Sequence, residues 1–173
     1  RRSSDLLMIA EQLAAEGVRV IFHSQVEGDS AAIAEQVENA SAVWGDISNE
    51  QGSEQVIRAV NELKCGVDIL VNNYGTADPG RWQTATSDDW LTAYQKNTLS
   101  IVRMVQGFTP GMIEAGWGRV VNLGTVGSTR PNKTSPQYYA AKGALANLTV
   151  GLTQELSATG ITVNLVSPGL IRT

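Results

Sequence analysis

Cysteine occurs once in 173 residues, at Cys65, so no disulfide can form within the chain. Histidine also occurs once, at His23. Soft donors are therefore too few for a zinc site, and no metal is expected. Cys65 reads as an ordinary small residue near a helix end. Basic charge is scarce, with 13 Lys and Arg against 17 Asp and Glu and a net charge of −4. A nucleic-acid partner is not expected, because such binding needs a basic stripe, and the notable basic pair is Arg1-Arg2 alone. Long apolar runs are missing too. The longest fall far short of the roughly 20 residues of a spanning helix, and no signal-peptide pattern opens the sequence. No membrane partner is expected, and the expected compartment is the cytoplasm. Hydrophobic content of 42% with 17% charge excludes a disordered chain. The length suits a single domain, residues 1–173, with one sizeable core.

The hydrophobic pattern supplies the architecture. Leu6, Ile9, Ala10 and Leu13 make an i, i+3, i+4, i+7 stripe, a helix stopping at Gly17. Val18–Phe22 reads as a buried strand, Ser30–Asn39 as a helix, Ala42–Trp44 as a short strand and Asn49–Leu63 as a third helix. Val67–Val71 is almost continuously apolar, as in a parallel strand buried on both faces. Ser87 is the expected N-cap of a long helix running to about Glu114, kinked or broken at Pro110. Val120–Leu123 follows as a strand. Pro136 opens another helix, with Ala141, Leu145, Leu148, Leu152 and Leu156 as its core stripe. Gly160 ends it, and Ile161–Val166 is the last strand. Strand–helix alternation throughout, without repeats or low-complexity linkers, implies a doubly wound parallel α/β sheet with helices on both faces.

The chemistry concentrates between Arg119 and Leu145. A strand runs into a loop of Gly, Ser, Thr, Pro and Asn, and then into a helix carrying Tyr138 and Lys142. Tyr-x-x-x-Lys is i, i+4 spacing, which puts phenol and ammonium on one helical face. A neighbouring cation favours phenolate and moves a tyrosine towards the range where it can give or take a proton.

Several motifs occur in order around that pair. Asp68-Ile69-Leu70-Val71-Asn72-Asn73-Tyr74-Gly75 is a strand ending in Asn-Asn-x-Gly. Asn97 lies in the long helix, Thr125 ends Val121-Asn122-Leu123-Gly124-Thr125, and Pro168-Gly169-Leu170-Ile171-Arg172-Thr173 follows the last strand. Together they resemble the classical short-chain dehydrogenase/reductase family, beta-ketoacyl-ACP reductase-like branch, over Ile9 to Thr173. The resemblance implies a Rossmann-like fold and hydride transfer between NAD(P)(H) and the carbonyl or secondary alcohol of a small molecule. It makes Tyr138 the general acid/base and Lys142 its electrostatic partner and a ribose ligand. Asn97 becomes the holder of a relay water, and Thr125 the hydroxyl that binds the substrate oxygen. The implied cofactor contacts are Ser4, Ser24, Asp46, Ile47, Asn73, Gly75, Tyr138, Lys142, Pro168, Gly169, Ile171 and Thr173. A homodimer or homotetramer through the two long helices is implied as well, with Ile101, Val102, Val105 and Phe108 suiting either an interface or the core.

Departures from the family pattern set further expectations. Thr125 stands where Ser is usual; it keeps the hydroxyl but stiffens χ1. Tyr74 replaces a small residue beside the cofactor groove. Ser4 and Leu6 fall where the second and third glycines of the phosphate fingerprint belong. His23-Ser24-Gln25 carries no acid after the second family strand, which points to NADP rather than NAD. His23 reads as a structural or cofactor-rim residue, Tyr139 as packing, and Asn72 and Asn73 as groups satisfying backbone at the strand end. Trp82, Trp90 and Trp117 read as packing or interface residues, with Trp82 able to touch substrate. Arg130, Asn132 and Lys133 are either a substrate rim or a solvated loop. The competing expectation is a degenerate, non-catalytic binding or scaffold subunit. The family's first strand, central in its sheet, and its C-terminal lid have no counterpart here. These residues are therefore expected to be part of a longer chain, and to fold poorly alone.

Overall fold

The computed structural model of the chain describes residues 2–169, with side chains from Leu7 onward. Helices and strands alternate: α1 (Arg2–Ala15), β1 (Ile21–Ser24), α2 (Ala31–Ala34), β2 (Ser41–Trp44), α3 (Glu50–Glu62), β3 (Ile69–Asn72), α4 (Ser87–Tyr94), α5 (Ser100–Ala115), β4 (Gly118–Leu123), α6 (Pro136–Glu155) and β5 (Ile161–Val166). Every strand pairing is parallel. This is the Rossmann-like α/β architecture expected from the sequence. The chain divides into two compact units, the first ending at Cys65 and the second beginning at Gly66.

In the first unit β1 pairs with β2, from Ile21 opposite Ser41 to Ser24 opposite Trp44. Gly17 follows α1 at φ +82°, a conformation that side chains rarely adopt, and so ends the helix where the sequence predicted. Ala10, Phe22, Ala34 and Val37 form a small core beneath this pair. The strand expected at Val18–Phe22 lies further on, at Ile21–Ser24. The helix expected over Ser30–Asn39 shrinks to Ala31–Ala34. Ser30 is buried and its hydroxyl donates to Val43 O at 3.2 Å, tying the turn to β2, while Asn39 turns to φ +57°. In α3, Asn49 caps the helix by accepting from Gly52 N at 2.9 Å.

The second unit carries a sheet in the order β3-β4-β5. Its core joins Val120 of β4 and Ile161 and Val163 of β5 to Leu145 and Leu156 of α6 and to Ile101, Val105 and Met112 of α5. Ile101 and Val105 therefore serve the core of one chain. The long helix expected over Ser87–Glu114 is interrupted, but not at Pro110. Residues Gln95–Leu99 form a π-turn between α4 and α5, whereas α5 passes through Pro110 to Ala115. Pro110 is exposed, so the carbonyl its missing N–H leaves behind can meet water. The N-cap is Thr86, not Ser87. Thr86 Oγ1 accepts from Asp89 N at 3.2 Å and Asp89 accepts from Thr86 N at 2.8 Å, a reciprocal box that Ser87 could not form.

A buried polar ladder crosses the carboxyl end of this sheet. Asn72 and Asn122 stand opposite one another in β3 and β4. Asn72 Nδ2 donates to Asn122 Oδ1 at 2.9 Å, and Asn122 Nδ2 donates to Thr149 Oγ1 of α6 at 3.0 Å. Asn72 thus bonds a side chain, where sequence reasoning had given it a backbone group. All three residues are buried, so each lost partner strands a desolvated polar group. Asn122→Ala is expected to cost about 2–3 kcal/mol in urea unfolding; Thr153→Ala, at an exposed residue of α6 whose hydroxyl donates to Thr149 O, is the reference for an ordinary loss.

Candidate active site

The π-turn decides where Asn97 points. One extra residue in a helical turn rotates the following side chains, and such turns recur at functional sites. Asn97 is completely buried. Its Nδ2 donates to Thr76 O at 3.0 Å and to Ala93 O at 2.9 Å, while its Oδ1 has no hydrogen-bond partner. The adjacent Thr98 is also buried and donates to Ala141 O at 2.9 Å, fastening the π-turn to α6.

Lys142, on α6, is buried as well. Its Nζ donates to Leu123 O, the last carbonyl of β4, at 2.6 Å. Gly75 marks the space that Lys142 and Asn97 share. A Cβ built on Gly75 would lie 2.5 Å from Asn97 Oδ1 and 3.3 Å from Lys142 Nζ, and Gly75 itself is at φ +154°. The glycine therefore lets the Asn97 amide oxygen and the Lys142 ammonium approach its backbone more closely than any side chain would allow.

Thr125 follows two residues after Leu123, at the start of a short 3-10 turn, Val126–Ser128, that sequence reasoning missed. Its Oγ1 accepts from Gly127 N at 3.2 Å, which leaves the hydroxyl hydrogen to be donated outward. Val126 N donates to Pro168 O at 3.2 Å, so the loop after β5 closes against the loop after β4. Tyr138 is half-buried, one helical turn before Lys142, with its ring edge-on to Tyr139 at 5.2 Å between centroids. Tyr139 packs directly over Gly127, as expected of it. Asn97, Gly75, Thr125, Tyr138, Lys142, Asn73, Pro168 and Gly169 all belong to the second unit. Ile171 and Thr173 lie outside the described residues.

Ser24, Asp46 and Ile47 belong to the first unit, as does Ser4, whose side chain is outside the description. Ser24 Oγ lies 2.9 Å from both Val26 O and Ser30 Oγ, engaged in its own turn. Burial pushes the Asp46 carboxyl up, but hydrogen bonds from Ser48, Gln25 and Asn49 outweigh it and hold the group below the usual carboxylate range. Ile47 is buried.

His23 fits the structural reading. Its Nε2 lies 2.8 Å from Gly45 O and must carry the proton to bond a carbonyl. Burial lowers its pKa, against the opposing pull of the Gly45 carbonyl and Asp46. Trp82 stacks obliquely on Trp90 at 5.3 Å, and Arg119 lies 4.3 Å over the ring of Trp117. Arg130, Asn132 and Lys133 are exposed. Cys65 is exposed too. Among the described residues, no three His, Cys, Asp or Glu side chains come together as a metal site, and no helix is long and apolar enough to cross a membrane.

Comparison with known proteins follows the same lines. The sequence profile described as short chain dehydrogenase matches residues 7–173. The chain belongs to the short-chain dehydrogenase family. It is 34% identical over 167 residues to the 3-oxoacyl-[acyl-carrier-protein] reductase FabG of Vibrio harveyi, covering 95% of this chain and 68% of that protein. The FabG of Escherichia coli K12 is 31% identical over 166 residues with the same coverage. A short-chain dehydrogenase from Streptomyces avermitilis superposes with a TM-score of 0.88 at 29% identity. That match covers 95% of this chain but spans only 61% of the Streptomyces chain. A gluconate 5-dehydrogenase from Burkholderia cenocepacia, solved with NADP and tartrate, gives 0.88 at 27% identity, covering 96% of this chain and 67% of that one. The family is one of NAD(P)-dependent oxidoreductases, in keeping with the resemblance read from the motifs.

The lowered pKa of His23 has a defined sign. Above about 6.5 the ring is neutral folded or unfolded; below it, the unfolded chain takes up a proton that the folded ring resists. Stability is therefore full above pH 6.5 and declines as pH falls from there towards the folded pKa. Thermal melts from pH 7.5 to 5 should show a shallower decline for His23→Gln than for the parent. Equal slopes would remove His23 from the account.

Proposed function

We propose that the protein is an NAD(P)-dependent oxidoreductase that interconverts a carbonyl and a secondary alcohol on a small molecule, and that residues 1–173 contribute its single nucleotide-binding domain. The carrying observation is the convergence at Gly75, where the buried Asn97 Oδ1, without a hydrogen-bond partner, and the Lys142 ammonium both lie against the glycine. An amide oxygen and an ammonium brought together there suit a water and a ribose hydroxyl. The residues present thus fit a nicotinamide cofactor. NADP is favoured over NAD by the absence of an acid in His23-Ser24-Gln25, and the Burkholderia relative was solved with NADP. A bound nicotinamide supplies the hydride.

In this reading the chain's own groups handle the proton and the oxygen. Tyr138 gives its phenol proton to the substrate oxygen as negative charge develops there, or takes it back in the reverse direction. Thr125 donates its spare hydroxyl hydrogen to the same oxygen, stabilising charge where it appears. Lys142 favours the phenolate left on Tyr138, and its fixed position follows from the bond to Leu123 O. Asn97 holds a relay water through Oδ1, connecting Lys142 to solvent. Asn73, Gly75, Pro168 and Gly169 would flank the nicotinamide half of the cofactor; Ser24, Asp46 and Ile47 are cofactor contacts on the family resemblance alone. Assembly as a homodimer or homotetramer, in the cytoplasm, belongs to the same proposal. A non-catalytic scaffold is not favoured, since the named relatives are reductases and dehydrogenases.

Tyr138→Phe separates the readings. NADPH binding, followed by intrinsic tryptophan fluorescence, should survive the change, while carbonyl reduction falls by about 10²–10⁴-fold. Parent protein that binds neither NADPH nor NADH would overturn the enzyme reading.

A further inference from the structure

The segment after β3 is fastened to both helices that carry the candidate chemistry. Four of its five residues supply acceptors to donors on or beside those helices, and Thr76 Oγ1 also donates to the Asp78 carboxylate at 3.2 Å. Thr76 O accepts from Asn97 Nδ2 at 3.0 Å, and the Asp78 carboxylate accepts from Lys96 Nζ at 3.0 Å. Asp78 O and Pro79 O both accept from Gln137 Nε2, each at 3.3 Å. Gly80 O accepts from Ser135 N at 2.9 Å. Ser135 is held there at φ +55°, left-handed backbone that is uncommon for serine. Residues 76–80 thus form a strap from the π-turn of Asn97 to the first turn of α6.

Gln137 is the side chain at the centre of this strap. It is buried, 2% exposed. Its amide presses on Gly80, where a Cβ would come within 2.5 Å of Nε2 and 2.6 Å of Oε1. It immediately precedes Tyr138 in the chain. A buried amide that gives both hydrogens of its NH2 to carbonyls at 3.3 Å, and leaves its own oxygen without a partner, contributes little net stability. It does fix the height of the first α6 turn against the strap.

We infer that Gln137 is a positioning residue: through the Asp78 and Pro79 carbonyls it sets Tyr138 relative to Asn97. The inference rests on the proposed role of Tyr138, but its test does not depend on turnover alone. Two variants attack the same latch from opposite sides. Gln137→Met keeps the volume and removes the donor. Gly80→Ala keeps the donor and displaces it.

Each variant is measured in the full-length protein three ways: NADPH-dependent reduction of ethyl acetoacetate, hydrogen exchange across residues 76–80 and 135–139, and NMR titration of tyrosine labelled at the phenol carbon. Circular dichroism confirms folding, and Gln137→Glu, a near-isostere that sets an acceptor against the two carbonyls, serves if Gln137→Met does not fold. Each single variant should lower kcat about tenfold with little change in KM for NADPH. Each should speed exchange at Ser135 and shift the Tyr138 titration. The double variant should be no worse than either single one, because the two changes break one contact. Unchanged exchange and titration in a folded variant would overturn the inference, as would fully additive losses. A shifted titration in protein that reduces no carbonyl would keep the inference and sink the proposed activity instead.

Discussion

A lysine ammonium buried at the carboxyl end of β4 is the constraint from which the second unit's site follows. A desolvated charge needs acceptors close by. Leu123 O supplies one at 2.6 Å. That bond requires β4 to end where α6 passes, and the Asn72–Asn122–Thr149 ladder holds the same two elements together a short way along the chain. Polar groups gather round the ammonium as well. Gly75, having no Cβ, admits both the ammonium and an amide oxygen, and the π-turn between α4 and α5 carries Asn97, whose Oδ1 lies against it. A regular helix through residues 95–99 would rotate Asn97 away.

The strap of residues 76–80 extends this dependence. The Asn97 amide uses both of its donated hydrogen bonds on carbonyls, one in its own helix and one in the strap. Its oxygen is what remains for a ligand. The polar groups of the site are therefore ordered by what the backbone already occupies: Thr125 accepts from Gly127 N and keeps a donor, while Asn97 donates twice and keeps an acceptor. One donor and one acceptor, with a lysine near and a tyrosine one turn earlier, are the parts on which the proposed proton transfer to a carbonyl oxygen draws.

Much of this was legible in the residues. Parallel α/β order followed from apolar runs such as Val67–Val71 alternating with amphipathic helices, and the candidate site residues were named from motifs placed at strand ends and on two helices. The misses have physical causes. The π-turn leaves no mark in hydrophobic periodicity, because Gln95–Leu99 is almost entirely polar and offers one apolar position, Leu99, to show a shifted stripe. Pro110 drew the expected kink because a proline's cost depends on whether the freed carbonyl meets water, which the sequence does not state. Ser30–Asn39 looked helical from its Ala and Glu content, yet a buried Ser30 hydroxyl bound to β2 cut it short, a tertiary contact overriding local preference. Gln137 drew no notice because its role comes from backbone carbonyls nearly 60 residues away.

Hydride and proton arriving at one carbonyl, under the control of this arrangement, is the central claim. The direct measurement follows deuterium from NADPH labelled at C4 of the reduced ring, incubated with the protein and ethyl acetoacetate. The account predicts that one deuterium appears at the new carbinol carbon and that the label leaves the cofactor in equal amount. Cofactor that binds but never passes its label to any carbonyl offered would contradict it.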